Sequence, residues 1–309
     1  MILQTGMRTD IPAFFSKWFE NRLTEGFVLV RSPYNPQLVT KYIISPHVVD
    51  LIGFCSKNPA PMLAHLDLLE PYGQFWFVSI TPYGRDIEPH VPDKFTVMKT
   101  FRELSRRVGI DCVSWRYDPI LITEKYSVER HIADFEVMAS ELAGFTKVCV
   151  ISFIDLYAKV LRNFPEASSV ALNDQITLAK EFVRIGKKFG IRIQSCAEGN
   201  HLAPYGVDIS GCMNERAIQQ AIHMPLDIPK GKFLRSECTC IGGNDIGAYD
   251  SCGHLCRYCY ATSSQGAFEQ NIKKHDPNSP LLIGNLLPTD KIHTAAQSSW
   301  KHLQTGLFG

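Results

Sequence analysis

Between residues 252 and 260 the chain reads Cys-Gly-His-Leu-Cys-Arg-Tyr-Cys-Tyr, which sets Cys252, Cys256 and Cys259 at C-x3-C-x2-C spacing. Three thiolates on so short a loop can wrap one 4Fe-4S cluster and leave its fourth iron without a protein ligand. An iron with a vacant position can chelate the amino and carboxylate groups of S-adenosyl-L-methionine, whose reductive cleavage starts radical chemistry. The competing reading is zinc, which needs four ligands and would draw on His254 or an upstream cysteine. An aromatic residue before the last cysteine favours iron and sulfur. That residue, Tyr258, either stacks near the cofactor's adenine or packs beneath the loop, whereas Tyr260 reads as packing.

Seven of the ten cysteines lie upstream of this loop. Cys196, Cys212, Cys238 and Cys240 fall at the end of the last clear strand or in the Gly-rich segment that follows it, with Cys238 and Cys240 forming a C-x-C. Four thiols suffice for a second metal site, either a fully ligated cluster or zinc; the alternative is four reduced thiols that never meet. Cys112 and Cys149 lie inside strand candidates and Cys55 follows one, so all three read as small core residues.

The elements that must position these groups come from the hydrophobic pattern. Strand candidates are FVLVR (27–31), VVDLIGF (48–54), QFWFVSI (74–80), IDCVSWRY (110–117), KVCVISF (147–153) and IRIQSCA (191–197). Their continuous apolar character fits strands buried on both faces, as in a parallel sheet. Helix candidates run over 12–23, 61–69, 93–108, 127–142 and 174–189. In the last two, Val128, Ile132, Phe135, Met138 and Leu142, and Ile176, Ala179, Phe182 and Ile185, recur at spacings of three and four, so one face of each packs on the sheet. Gly144 and Gly190 stand where a helix stop is wanted. Alternating strands and helices predict an α/β fold, a complete or partial β/α (TIM-like) barrel over residues 1–204, with a Cys-rich cofactor-binding segment over 205–309 packed on its mouth. No Gly-x-Gly-x-x-Gly follows the first strand, which removes the usual support for a dinucleotide-binding sheet.

Most strand candidates are followed by polar residues that an idle loop rarely needs. In a β/α sheet the C-terminal strand ends converge on one face, and this brings Asp10, Lys57, Asn58, Arg116, Asp118, Asp155 and Glu198 to a common mouth. Carboxylates there can grip a ribose, an amine or a cationic substrate, and Arg8 and Arg116 a carboxylate or phosphate. The competing reading is turn chemistry and ion pairing that closes the end of the barrel. Lys57 either meets the cofactor's carboxylate or caps a helix.

Composition bounds the setting. Over 309 residues, 45% hydrophobic and 20% charged side chains are those of an ordinary globular chain, and the net charge of +1 offers no bulk attraction to nucleic acid or an anionic membrane. A small-molecule substrate is therefore expected over nucleic acid, together with an electron donor. The first residues lack a secretory signal pattern, and no run of about 18 apolar residues could span a bilayer. A cytoplasmic location follows, where ten cysteines are ligands or free thiols rather than a disulfide framework.

The C-x3-C-x2-C loop with its aromatic resembles the signature loop of radical S-adenosylmethionine enzymes, and Tyr258-Cys-Tyr-Ala261 is similar to the spore photoproduct lyase branch. In those enzymes the loop follows the first barrel strand; here it lies near the C-terminus, as if the order were permuted. Arg8-Thr-Asp-Ile-Pro-Ala-Phe14, Lys57-Asn-Pro59, Thr81-Pro-Tyr-Gly84, Trp115-Arg-Tyr-Asp-Pro-Ile120, Ser152-Phe-Ile-Asp-Leu-Tyr157 and the terminal cysteines together resemble the bacterial family DUF1848 over nearly the whole chain. The resemblance implies the barrel and its cluster but no substrate. It also implies Ser-Arg-Arg-Thr-Asp near the start, where this chain has Gly6-Met7-Arg8-Thr9-Asp10, so a role for the first arginine does not carry over. Two functions remain: a radical S-adenosylmethionine enzyme, or a non-catalytic zinc or iron-sulfur protein with a structural or redox-sensing role.

Overall fold

The computed structural model describes residues 1–229 and 240–301. Its strands are β1 (Ile2–Gln4), β2 (Phe27–Arg31), β3 (Leu38–Ile43), β4 (Leu51–Ser56), β5 (Gly73–Ser79), β6 (Val113–Ile120), β7 (Val148–Phe153), β8 (Arg192–Ser195), β9 (Asn244–Asp245) and β10 (Lys291–Thr294). Seven form one sheet in the order β8-β7-β6-β5-β4-β1-β9, every pair parallel. From β4 to β8 each strand lies beside its predecessor, so right-handed crossovers put the helices on one face. That is the winding of a barrel, since a doubly wound sheet needs a reversal of strand order.

A complete barrel is not formed: among the described residues no strand pairing joins β8 to β9. The sheet nevertheless curls. On β6, Trp115 and Tyr117 point to the helices, and the alternating Ser114, Arg116 and Asp118 point to the opposite face. On that face Gln4 of β1 donates to the Met213 sulfur (3.1 Å), Arg116 approaches the Cys212 sulfur (3.8 Å) and Gln194 of β8 donates to the Gly211 carbonyl (2.7 Å). In a flat sheet β1 and β8, five strand spacings apart, would be separated by roughly 24 Å. Residues two apart in sequence span at most about 7 Å. Residues 211–213 therefore plug a concave face around which the sheet wraps.

The helices relevant to the site are α1 (Ile11–Phe14), α2 (Ser16–Glu25), α3 (Lys94–Val108), α4 (Val128–Leu142), α5 (Ala158–Asn163) and α6 (Leu172–Phe189). Asp93 and Ser127 cap α3 and α4 by accepting backbone N–H groups of Phe95 and Arg130, and Gly190, at φ 71°, ends α6. The helix expected over 12–23 is two, broken at Phe15, and that expected over 61–69 is a 3-10 helix, Ala60–Leu69. Trp115, Phe135 and Phe182 stack in sequence (4.7 and 3.9 Å between centroids) and pin α4 and α6 to β6. Such pairs contribute about 0.5–1.5 kcal/mol each beyond area burial.

One strand expectation is corrected. FVLVR is a strand, but it pairs antiparallel with β3 in a separate three-stranded sheet of order β10-β3-β2. Its continuous apolar run has a different cause: Val28 and Val30 face the main core, while Leu29 packs with Val39 and Leu281 in a small second cluster. The main sheet instead begins at β1, whose three residues are too few to show a period. The C-terminal segment is interleaved with the rest, since β9 joins the main sheet beside β1 and β10 pairs with β3.

Between β6 and α4, His131 is fully buried, with Nε2 2.8 Å from the Leu121 carbonyl and Nδ1 2.8 Å from the Tyr117 hydroxyl. A carbonyl only accepts, so Nε2 carries the proton and Nδ1 accepts from the Tyr117 O–H. Burial lowers the His131 pKa, against smaller opposing effects of the Leu121 carbonyl and Asp134. The unfolded chain protonates this group first, so the stability it supports is present above about pH 6.5 and declines below it. Denaturant unfolding at about pH 7.5 and about pH 5.5 should show a smaller acid-side loss for His131→Gln than for the parent chain; equal losses would refute the neutral assignment.

Candidate metal centres at the sheet mouth

All seven strands are parallel, so Asp10, Lys57, Glu88, Asp118, Asp155 and Glu198, each on or beyond a strand's C-terminal half, gather at one edge. The cysteine loop is fastened there by Asp10. Its Oδ1 accepts the Ala13 N–H (3.0 Å) and caps α1, while Oδ2 accepts the Lys57 N–H (2.8 Å) and pairs with Nε2 of buried His254 (3.0 Å). His254, a candidate zinc ligand by sequence, is thus a docking residue. The Phe14 ring meets its imidazole edge-on at 4.6 Å. A Cβ on Gly253 would stand 2.9 Å from that phenyl ring, so a larger residue there would have to push the ring aside. Leu255 adopts φ 52° between Cys252 and Cys256, the tight winding a three-residue spacer needs.

The three loop thiols lie within electrostatic reach of one another, though not all within the 4.8 Å of a single-ion site. Cys256 is buried and Cys252 and Cys259 are half-buried. Burial pushes the Cys256 thiol well up; Glu88, Cys259 and Cys252 add to this and Lys57 opposes it. Burial, then Asp10 and Cys259, raises Cys252 in the same way. A second carboxylate organises the neighbouring wall: Glu88 Oε1 accepts from Lys57 Nζ (2.8 Å), Thr81 Oγ1 (2.8 Å) and the Tyr258 hydroxyl. The Lys57 ammonium also lies 5.5 Å from the Tyr258 ring centroid. Sequence reasoning did not single out Glu88. The signal available was an acid seven residues beyond Thr81, on the same post-strand loop as Thr81-Pro-Tyr-Gly84.

The other cysteine group is drawn tighter. Cys196, Cys212 and Cys240 have sulfurs all within 4.8 Å of one another, which makes them able to hold a metal ion. They are the one such group of three or more His, Cys, Asp or Glu ligand atoms among the described residues. Cys238, expected with them, lies outside the described residues. The Cys212 sulfur is 3.6 Å from Cys196 and 3.2 Å from Cys240, and the Met213 N–H donates to the Cys240 sulfur at 3.4 Å. Hydrogen bonds from Cys212 and Cys240, helped by Arg116, hold Cys196 towards the thiolate, and Cys212 is correspondingly pushed up to about 12. Arg116 donates from Nε to Asp118 (2.9 Å), whose other oxygen accepts the Ser152 hydroxyl. Burial works against the Arg116 cation, but Asp118 and the thiols of Cys196, Cys212 and Cys55 outweigh it.

The remaining predicted residues are dispersed around this rim. Glu198 accepts the Phe153 N–H (2.9 Å), and burial raises its carboxyl to about 7. Asp155 is exposed and accepts the Tyr157 hydroxyl (2.9 Å), while the Asn58 side-chain Oδ1 accepts the Ala60 N–H (3.3 Å) in a turn. Arg8 pairs with Asp245 rather than the mouth (2.5 Å). Cys112 and Cys149 are core residues as expected; Cys55 is half-buried at the rim, within electrostatic reach of Arg116, Asp10, Asp118 and Lys57. Its charged neighbours serve both cysteine groups, Arg116 standing beside Cys212 and Asp10 and Lys57 beside the loop.

The profile of a domain of unknown function, DUF1848, matches residues 2–261. The chain belongs to this family. The matched span takes in both cysteine groups, Asp10, Lys57, Glu88 and the Arg116–Asp118 pair, and ends just past Cys259. This family member matches no curated protein.

Asp10→Asn would set an amide N–H₂ either against the Ala13 N–H or against the Lys57 N–H and the His254 ring together. It is expected to lower unfolding free energy by about 1–3 kcal/mol and to speed alkylation of Cys252 and Cys259 in the metal-free chain. Alkylation at the parent rate would show that the carboxylate does not fasten the loop.

Proposed function

We propose that the chain is an iron-sulfur enzyme of the radical S-adenosyl-L-methionine type, acting on a small molecule with electrons from a separate donor. The observation that carries this reading is the shielded grouping of Cys252, Cys256 and Cys259 on one tight loop above the C-terminal strand ends. Their donor set fits a 4Fe-4S cluster, because three thiolates leave one iron without a protein ligand. When bound, such a cluster supplies one-electron reduction of the sulfonium of S-adenosyl-L-methionine, and through it hydrogen abstraction from a substrate.

The chain's own residues supply binding and orientation. Glu88 fixes the Tyr258 hydroxyl and the Lys57 ammonium, so an aromatic face and a cation stand beside the loop for the cofactor's adenine and carboxylate, with Asn58 shaping the adjacent turn. Asp10 holds the loop through His254. Arg116, Asp118, Asp155 and Glu198 line the rim, where a substrate amine, hydroxyl or carboxylate would be gripped. No described helix is long and apolar enough to cross a membrane. Among the described residues no two cysteines are joined by a disulfide.

The second reading, a structural or redox-sensing metal protein, draws its support from the single-ion spacing of Cys196, Cys212 and Cys240. Anaerobic reconstitution followed by electron paramagnetic resonance separates the two. The reduced protein should give a 4Fe-4S signal that shifts when S-adenosyl-L-methionine is added, and Cys256→Ala should abolish it. A signal blind to the cofactor, or no iron uptake by the loop, would leave the non-catalytic reading.

A further inference from the structure

We propose that Cys196, Cys212 and Cys240 hold a single thiophilic divalent ion, zinc by preference, which fastens the concave sheet at its open seam. This site is independent of the chemistry proposed for the C-x3-C-x2-C loop.

Spacing decides the kind of metal. Tetrahedral coordination at about 2.3 Å per zinc-sulfur bond puts neighbouring sulfurs about 3.8 Å apart. The sulfurs here stand at 3.2 and 3.6 Å, with all three within 4.8 Å. A cluster would draw each thiolate to a different iron and spread them further. A disulfide needs about 2.05 Å and joins only two sulfurs. The surroundings suit an anionic metal-thiolate centre: the Arg116 guanidinium lies 3.8 Å from the Cys212 sulfur, and the Met213 N–H donates to the Cys240 sulfur. Arg116 is itself oriented by Asp118, which Ser152 holds in turn. Three thiolates leave one position on the ion for water or a further ligand.

Position decides what the ion does. Cys196 directly follows β8, one end of the strand order. Cys212 belongs to the plug that touches β1, β6 and β8. Cys240 precedes Ile241, whose N–H bonds the Met213 carbonyl (2.9 Å), and leads into β9 at the other end. One ion bound to all three ties together the two ends that no described strand pairing joins.

The test uses the full chain and a loop variant carrying Cys252→Ser, Cys256→Ser and Cys259→Ser, which removes the other thiol group. The loop variant should retain one equivalent of zinc per chain. After exchange it should bind one equivalent of cobalt(II) with the sulfur-to-cobalt charge-transfer absorption of a thiolate site, and its melting temperature should fall when the metal is chelated. Adding Cys212→Ser should abolish the band and the bound equivalent. Should that variant not fold, titrating the loop variant with cobalt against a chromophoric chelator still reads the stoichiometry. The proposal is overturned by a loop variant that binds no thiolate-ligated cobalt, by a band that survives Cys212→Ser, or by a mass deficit of two hydrogens mapping to a Cys212–Cys240 disulfide. None of these outcomes bears on the cofactor-dependent signal of the loop.

Discussion

The Asp10 carboxylate is the constraint on which the candidate site depends. It caps α1, takes the Lys57 N–H at the start of the loop after β4 and holds His254 inside the cysteine loop. Three segments far apart in sequence thereby share one anion, each bond charge-assisted. A thiol loop placed late in the chain can stand over strand ends laid down early because this anion, with Phe14 against Gly253 and His254, gives it a fixed seat.

The same edge carries two thiol groups of different construction. The loop group is local, wound by Leu255 at positive φ, and borders the Glu88, Lys57 and Tyr258 wall. The tighter group draws on three segments and stands beside Arg116, whose charge answers to Asp118 and to the thiols. Cys55 stands between them, among the charges of Arg116, Asp10, Asp118 and Lys57. Buried polar groups in such numbers are tolerated because they are matched: Glu88 accepts three hydrogen bonds, and both Asp118 oxygens have donors.

Curvature makes this shared mouth possible. Side chains of β1, β6 and β8 reach residues 211–213 because the sheet wraps around them. The outer face is held by the stack of Trp115, Phe135 and Phe182, so the same strand that packs helices through Trp115 and Tyr117 offers Arg116 and Asp118 to the interior. A strand buried on both faces serves packing and chemistry at alternate residues.

By itself the sequence determined what is local or periodic. Helical spacing located α3, α4 and α6, continuous apolar runs located five strands of the parallel sheet, and the C-x3-C-x2-C loop was legible as a candidate cluster site because its three thiols are sequence neighbours. Tertiary structure alone decided what depends on contacts between distant residues. β1 is too short to carry a period, and FVLVR owes its apolar run to a second small core that no local window reveals. Glu88 matters only because Lys57 and Tyr258 come to it. Cys196, Cys212 and Cys240 were visible as thiols, but their meeting rests on the curl of the sheet, a property of the packed strands and of no single segment.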